Sequence, residues 1–182
     1  MDSWWIDGPS VLGGANPTIW HLKGLYRIGF RTIIFLTDKM KQIPDYNVEA
    51  VKAIGFEHFP IFIRDLSAPS VEDFEVVLTT VNWALGQGKV FIHCQYGPGG
   101  TGIMGAAYWV DKGSSVDEAL EKIRQSNPQA IETVGFEKSL CKLREFIESR
   151  SHTVKVLLVG LSKDSRRRIL VQKIPSSNPF HV

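Results

Sequence analysis

The stretch His93-Cys94-Gln95-Tyr96-Gly97-Pro98-Gly99-Gly100-Thr101-Gly102 decides the fold. The strand-like run Lys89-Val90-Phe91-Ile92 leads into it, and the helix-like run Ile103 to Val110 leaves it. A cysteine therefore ends a strand, a glycine-rich turn follows, and a helix begins. The first N–H groups of a helix lack intrahelical acceptors and carry the positive end of its dipole, so they attract anions. Gly97, Gly99, Gly100 and Gly102 let the loop curl so that such groups converge. The same field favours a thiolate, the reactive form of cysteine. Thr101, at the helix start, is placed to donate its hydroxyl to the sulfur. His93 is expected to hydrogen-bond the loop backbone and fix its shape. A plain buried cysteine before an ordinary turn would leave the four glycines and Thr101 unexplained.

The surrounding pattern supplies the scaffold. Val11 to Gly14 predicts a short strand, and Pro17 to Ile28 a helix with Ile19, Leu22, Leu25 and Tyr26 at helical spacing, stopped by Gly29. Thr32-Ile33-Ile34-Phe35-Leu36 suits a buried parallel strand. Residues 45–53 predict a second helix closed by Gly55, and Glu57 to Ile61 an edge strand, because Pro60 cannot donate to a ladder. Ser70 caps a helix whose apolar face runs Val71, Phe74, Leu78, Val81, Leu85. Ser115 to Glu118 is a capping box, and residues 134–149 predict the last long helix. Strands separated by helices imply βαβ units and a mainly parallel central sheet in an α/β fold. Val154 to Val159 and Ile169 to Ile174 read as a strand pair joined through Arg166-Arg167-Arg168, and Pro175 to Val182 as a disordered tail. This divides the chain into a domain over 1–150 and an extension over 151–182.

With 182 residues the chain is long enough for one domain with a real core. A net charge of +2 makes no demand for nucleic acid or an anionic membrane surface, and no apolar run reaches the length of a span. The start, Met1-Asp2-Ser3-Trp4-Trp5, lacks the basic and apolar regions of a signal peptide. Cys94 and Cys141 are expected to be free thiols in a cytoplasmic protein. Neither a metal nor a cofactor is expected.

The spacing His93-Cys94, Gly97, Gly99-Gly100-Thr101-Gly102 resembles the phosphate loop of cysteine-dependent protein tyrosine phosphatases, in particular the small, archaeal-type dual-specificity branch. Trp4 to Gly14 resembles the opening strands of that branch, and Phe59 to Ser70 its general-acid loop. Asn127 to Thr133 resembles the segment packed behind the phosphate loop. The resemblance implies Cys94 as nucleophile and Asp65 as general acid. It implies Gln95, Tyr96, Gly97, Gly99, Gly100 and Thr101 as the phosphate cradle. In the family a thiolate attacks phosphorus in line, and the aspartic acid protonates the leaving oxygen. The same aspartate then activates the water that hydrolyses the phosphocysteine. The implied partners are a phosphorylated protein or a small phosphomonoester, with phosphate or sulfate as the bound anion.

Three positions depart from the family pattern. Gly100 stands where the family has an arginine that forks onto two phosphate oxygens. An arginine finger in phosphoryl transfer is worth about 10³–10⁵ in rate. Pro98 has no N–H to donate. Near Phe136, where the family often places a water-orienting glutamine, the chain is apolar. Arg64, beside Asp65, is the candidate substitute cation, though a solvated surface arginine explains it as simply; the Arg166 run likewise reads as a solvated turn. Three functions follow: a phosphatase of very low turnover, a pseudophosphatase that binds phosphorylated or anionic partners, or a thiol enzyme such as a sulfur transferase. Asp65 favours the first over the third. Gly100 and Pro98 favour the second over the first.

Overall fold

In the computed structural model the described residues are 1–38, 43–64, 66, 68–130 and 135–162, with side chains to residue 151. Contacts divide the chain into two units, Met1–Glu148 and Ser149–Val182.

The first unit is a five-stranded sheet between two layers of helices. The strands are β1 (Ser3–Asp7), β2 (Val11–Gly14), β3 (Phe30–Thr37), β4 (Glu57–Phe62) and β5 (Lys89–His93), in the order β1-β2-β5-β3-β4. Only β1 runs antiparallel; the β2–β5, β5–β3 and β3–β4 pairs are parallel. The helices are α1 (Ile19–Arg27), α2 (Val48–Ile54), α3 (Val71–Leu85), α4 (Gly100–Asp111), α5 (Val116–Ser126) and α6 (Gly135–Ser162). The expected mainly parallel α/β sheet is thus present, and β4, with Pro60, lies on its edge.

Strand periodicity sorts the core. Alternate residues of a strand point to opposite faces. Val90, Ile92 and Cys94 belong to the larger cluster with Phe74, Ile103, Leu120, Phe136 and Leu140, from α3 to α6. Phe91 belongs to the smaller one with Leu22, Leu25, Tyr46 and Val51, under α1 and α2. Phe91 and Ile92 are both fully buried, as a central parallel strand requires. Such side chains contribute about 1.5–3 kcal/mol each when removed from water.

Register brings the site together. Gly14 pairs with His93, and His93 with Phe35; Thr37 pairs with Phe62. The loops after β2, β5, β3 and β4 therefore leave from one edge of the sheet, the carboxyl edge where open parallel sheets place their ligands.

One expected element differs. Residues 154–159 are helical, as part of α6, and not a strand. The run Val154-Lys155-Val156-Leu157-Leu158-Val159 is short and apolar, a pattern that periodicity alone does not assign. Extending an existing helix costs far less than nucleating a new element. The second expected strand, 169–174, and the tail lie outside the described residues. No helix among the described residues is long and apolar enough to cross a membrane.

Candidate active site

Strand β5 delivers Cys94 to the carboxyl edge, where it is 6% exposed. The chain then turns back so that the Gly97 N–H points at Cys94 Sγ, at 3.2 Å. That turn needs glycine. Gly97 has φ +92°, and a Cβ there would lie 3.0 Å from the backbone nitrogen of Ala15, in the loop after β2. The same loop meets Gln95, whose carbonyl accepts from the Asn16 N–H at 3.4 Å. The β2 loop and the glycine loop thus lie backbone to backbone.

Helix α4 starts at Gly100, with Gly99 as N-cap and no side-chain cap. Its first intrahelical bond runs from the Ile103 N–H to the Gly99 carbonyl. The N–H groups of Gly100, Thr101 and Gly102 precede it, the positions a helix leaves without internal acceptors. A Cβ at Gly100 would sit 3.5 Å from Cys94 Sγ, so a side chain at this position would start against the sulfur. It would also meet Leu66 Cδ2 at 3.1 Å and Cδ1 at 3.3 Å. Leu66 belongs to the loop after β4 and packs against the larger core cluster. The space that a longer residue at 100 would need therefore begins against an apolar side chain.

The other expected site residues are placed as follows. Thr101 is fully buried, but its hydroxyl donates to the Gly14 carbonyl at 3.2 Å and not to the sulfur. Thr101 therefore ties the helix start to the end of β2. His93 is also fully buried, and its Nε2 lies 2.8 Å from the hydroxyl of Tyr46, so that nitrogen does not anchor the loop backbone as expected. Tyr96 is 84% exposed at the loop tip. The Gln95 side chain donates to Asp45 Oδ2 at 3.4 Å. Arg64 is exposed. Phe136 is buried behind the loop, its Cζ 4.0 Å from a Cβ placed on Gly99, so an apolar ring packs there. Asp65, like residues 131–134 of the back segment, lies outside the described residues. Cys94 and Cys141 are both free. Among the described residues, no three His, Cys, Asp or Glu side chains gather as a metal site.

Several neighbours carry no mark in the sequence. Asn16 has both ends of its carboxamide buried without a partner beside the Gln95 backbone, an arrangement that calls for a water or ligand group. Leu66 has no chemistry to distinguish it. Tyr46 and His58 lie 47 and 35 residues from His93 in sequence, and only the β3–β4 crossover brings them together.

Behind the nucleophile, the His93 ring stacks with Phe35 and with Phe91, with centroids 5.0 Å and 5.3 Å away. The Tyr46 hydroxyl bridges His93 Nε2 and His58 Nε2, at 2.8 Å and 3.0 Å. Burial holds His93 down at about 3 and His58 at about 4, from an ordinary 6.5; Lys52 adds to the effect on His58, and the Cys94 backbone offsets part of it on His93. Both rings are therefore neutral near pH 7. Burial likewise raises the Tyr46 phenol, which stays protonated.

A strand-tip cysteine, a glycine loop and an uncapped helix start, on the carboxyl edge of this sheet, define a tyrosine/dual-specificity phosphatase-like protein. The sequence pattern described as "polymorphic toxin system, DSP-PTPase phosphatase" matches residues 8–114, and the chain belongs to that family. Among solved structures, Tk-PTP in its active form superposes with a TM-score of 0.67 at 30% identity, covering 79% of this chain and 97% of that one. PTPMT1 in complex with PI(5)P superposes with a TM-score of 0.71 at 19% identity, covering 82% and 98%, a likeness of fold. The protein tyrosine phosphatase domain-containing protein 1 of Bos taurus is 32% identical over 104 residues, 57% of this chain. The chain spans 13% of the length of that relative.

Proposed function

We propose that this protein binds phosphomonoesters in the loop Cys94–Thr101 and hydrolyses them slowly through a phosphocysteine. The observation that carries the reading is the Gly97 N–H aimed at Cys94 Sγ at 3.2 Å, beside the uncapped start of α4. A donor on sulfur stabilises negative charge there, and the adjacent amides are the donors a phosphate needs.

In the proposed first step the Cys94 thiolate attacks phosphorus, the S–P bond forms as the P–O ester bond breaks, and Asp65 gives its proton to the leaving oxygen. In the second step Asp65 takes a proton from water, whose oxygen attacks phosphorus; the S–P bond breaks and inorganic phosphate leaves. Cys94 is regenerated as the thiolate. The charge that builds on the equatorial oxygens meets only backbone donors, because Gly100 offers no guanidinium and Pro98 no N–H. Turnover is accordingly very low. The substrate is a phosphorylated protein or a small phosphomonoester.

The second reading, a pseudophosphatase that holds a phosphorylated or anionic partner, is favoured by Leu66 standing where a side chain at position 100 would extend. One experiment separates the two. Phosphate release from an aryl phosphate is measured for the protein, for Cys94→Ser and for Gly100→Arg, alongside thermal shifts with phosphate, sulfate and vanadate. Slow release lost in Cys94→Ser supports the enzyme. An anion-induced shift without release supports the binding protein. The absence of both release and shift overturns both readings.

A further inference from the structure

The net charge of +2 conceals an uneven distribution. From Gly8 to Thr37 the sequence holds no Asp or Glu, and it carries Lys23, Arg27 and Arg31. That stretch includes the whole of α1. Helix α3, packed on the other core cluster, has the reverse: Glu72, Asp73 and Glu75, and no Lys or Arg. At these two helices the opposite layers of the molecule present opposite signs to solvent. Among the described residues, Lys23, Arg27, Arg31 and Lys89 form no salt bridge, so their charge is not cancelled locally. Arg31 donates to the carbonyl oxygens of Tyr26 and Phe30, which are neutral acceptors.

Large apolar side chains share this basic face. On α1, Leu22 and Leu25 are buried, while Trp20, Lys23, Arg27 and the C-cap residue Ile28 are exposed. Trp20 is 76% exposed and Ile28 57%. Trp20, Gly24 and Ile28 follow one another at every fourth residue and form a ridge, and Lys23 and Arg27 form the ridge beside it. A Cβ on Gly24 would meet nothing within 4 Å, so the middle of the first ridge is open to close approach. Lys23 Nζ stands 4.9 Å from the centroid of the Trp20 ring. Beyond Ile28 the face continues. A Cβ on Gly29 would meet Lys89 Cε at 3.7 Å, Lys89 Nζ is 5.7 Å from the Phe30 ring, and Phe30 stacks with the exposed Trp5. Cations and exposed apolar groups are thus interleaved along the outer, convex side of a helix.

We propose that the outer face of α1, continued by Lys89 and Trp5, docks the protein on an anionic phospholipid bilayer, with the helix parallel to the surface. Two apolar residues that protrude from a convex face require a matching hollow in a rigid partner. A fluid headgroup layer admits Trp20 and Ile28 without one. Lys23 and Arg27 then lie at the level of the lipid phosphates. The acids of α3 set the orientation, because the surface that attracts one layer repels the other. None of these side chains belongs to the glycine loop, so the proposal does not rest on the phosphatase reading.

The test is co-sedimentation of the full chain with vesicles of equimolar phosphatidylcholine and phosphatidylserine, against vesicles of phosphatidylcholine alone. The expected result is binding to the anionic vesicles only, weakened by added salt. Lys23→Gln and Arg27→Gln should each weaken it about fivefold. Lys138→Gln and Lys142→Gln remove the same charge from exposed positions on α6 and should leave it nearly unchanged. With lipids brominated in the acyl chain, tryptophan fluorescence should be quenched, and Trp20→Phe should remove most of that quenching. Every substituted residue is exposed, and a thermal midpoint equal to the parent's shows that each variant is folded. No preference for anionic vesicles overturns the proposal. Equal loss in the α1 and α6 variants also does so, because net charge alone then drives binding. Quenching that persists in Trp20→Phe places another surface in the bilayer. Binding abolished by vanadate runs through the glycine loop and overturns the assignment to α1. Binding to a duplex DNA oligomer or to polyglutamate, with none to vesicles, gives the face to another polyanion and overturns the bilayer as its partner.

Discussion

Among the described residues, three helices close their own N-termini with reciprocal bonds, and α4 does not. At α1 the Thr18 side chain accepts from the His21 N–H while the Thr18 N–H donates to His21 Nδ1. At α3, Ser70 and Asp73 exchange the same pair of bonds, at 3.2 Å and 2.9 Å, and at α5 Ser115 and Glu118 do so at 3.3 Å and 2.8 Å. The N-cap of α4 is Gly99, which has no side chain to offer. Reciprocal capping removes the donors that would otherwise attract an anion. The same molecule thus caps α1, α2, α3 and α5 with polar side chains, α2 through Asn47 alone, and has none at α4, beside its buried cysteine. The difference leaves the first amides of α4 without the side-chain acceptors that the capped helices have.

The largest expected effect tests what the open end lacks. Gly100→Arg supplies the missing cation, but its Cβ meets Leu66 Cδ2 at 3.1 Å, closer than a comfortable contact. The contact is with the flexible end of a side chain, so Leu66 has to give by a few tenths of an ångström. Gly100→Arg combined with Leu66→Ala should therefore raise phosphate release above Gly100→Arg alone, and the pair should exceed the parent by about 10³ or more. Single-turnover rates with an aryl phosphate measure both steps of the comparison. If the double variant is no faster than the parent, the missing guanidinium is not what limits this site.

Next in size is the effect of pH on the buried rings behind the loop. His58 and His93 have folded values near 4 and 3 against an ordinary 6.5. Below pH 6.5 the unfolded chain takes up protons that the native state refuses, so stability falls as pH falls and levels off only near the folded values. Each histidine should cost about 2 kcal/mol at pH 5 relative to pH 7.5, and His58 somewhat less because it is half-buried. Urea midpoints between pH 7.5 and 5 show the slope, and His58→Gln should flatten it by that residue's share. A flat profile would mean that neither ring is held neutral.

Much of this was legible because it rests on local chemistry. The cap at Ser70 and the box at Ser115 follow short local patterns, and the strands β3 and β5 carry β-branched and aromatic runs. The Thr18 box is hidden because its third residue is His21, a partner outside the usual Glu or Gln. Partners chosen by tertiary register were not legible at all. Thr101 bonds Gly14 because β2 and β5 align Gly14 with His93, and no spacing in the sequence expresses that. The Tyr46–His58–His93 chain and the Leu66 contact depend in the same way on loops that meet only after the sheet has formed. The helical state of 154–159 also needs the preceding helix, since its apolar run alone fits either state.

The closed ends offer a smaller test. Ser70→Ala or Ser115→Ala should each cost about 1 kcal/mol, read from thermal or urea midpoints, and leave any phosphate-induced shift unchanged. Loss of the shift in either variant would mean that the anion responds to the fold in general and not to α4.

The smallest change in stability should give the sharpest test of the open end. A Cβ at Gly99 would meet nothing nearer than Phe136 Cζ at 4.0 Å, an ordinary contact, and Gly99 has a negative φ of −74° that any residue adopts. Gly99→Ala and Gly99→Asp should therefore both fold, with stability altered by no more than about 1 kcal/mol. They differ in what they bring to the amides of Gly100, Thr101 and Gly102. Alanine adds a methyl group and leaves those donors free, so thermal stabilisation by millimolar phosphate should persist. Aspartate places a carboxylate at the positive end of the helix, where it competes for the same donors and repels the anion, so the stabilisation should disappear. If Gly99→Asp retains the full shift, the anion binds elsewhere and the uncapped start of α4 is only a gap. If Gly99→Ala loses it as well, the site depends on the flexibility of glycine and not on the charge that its open amides present.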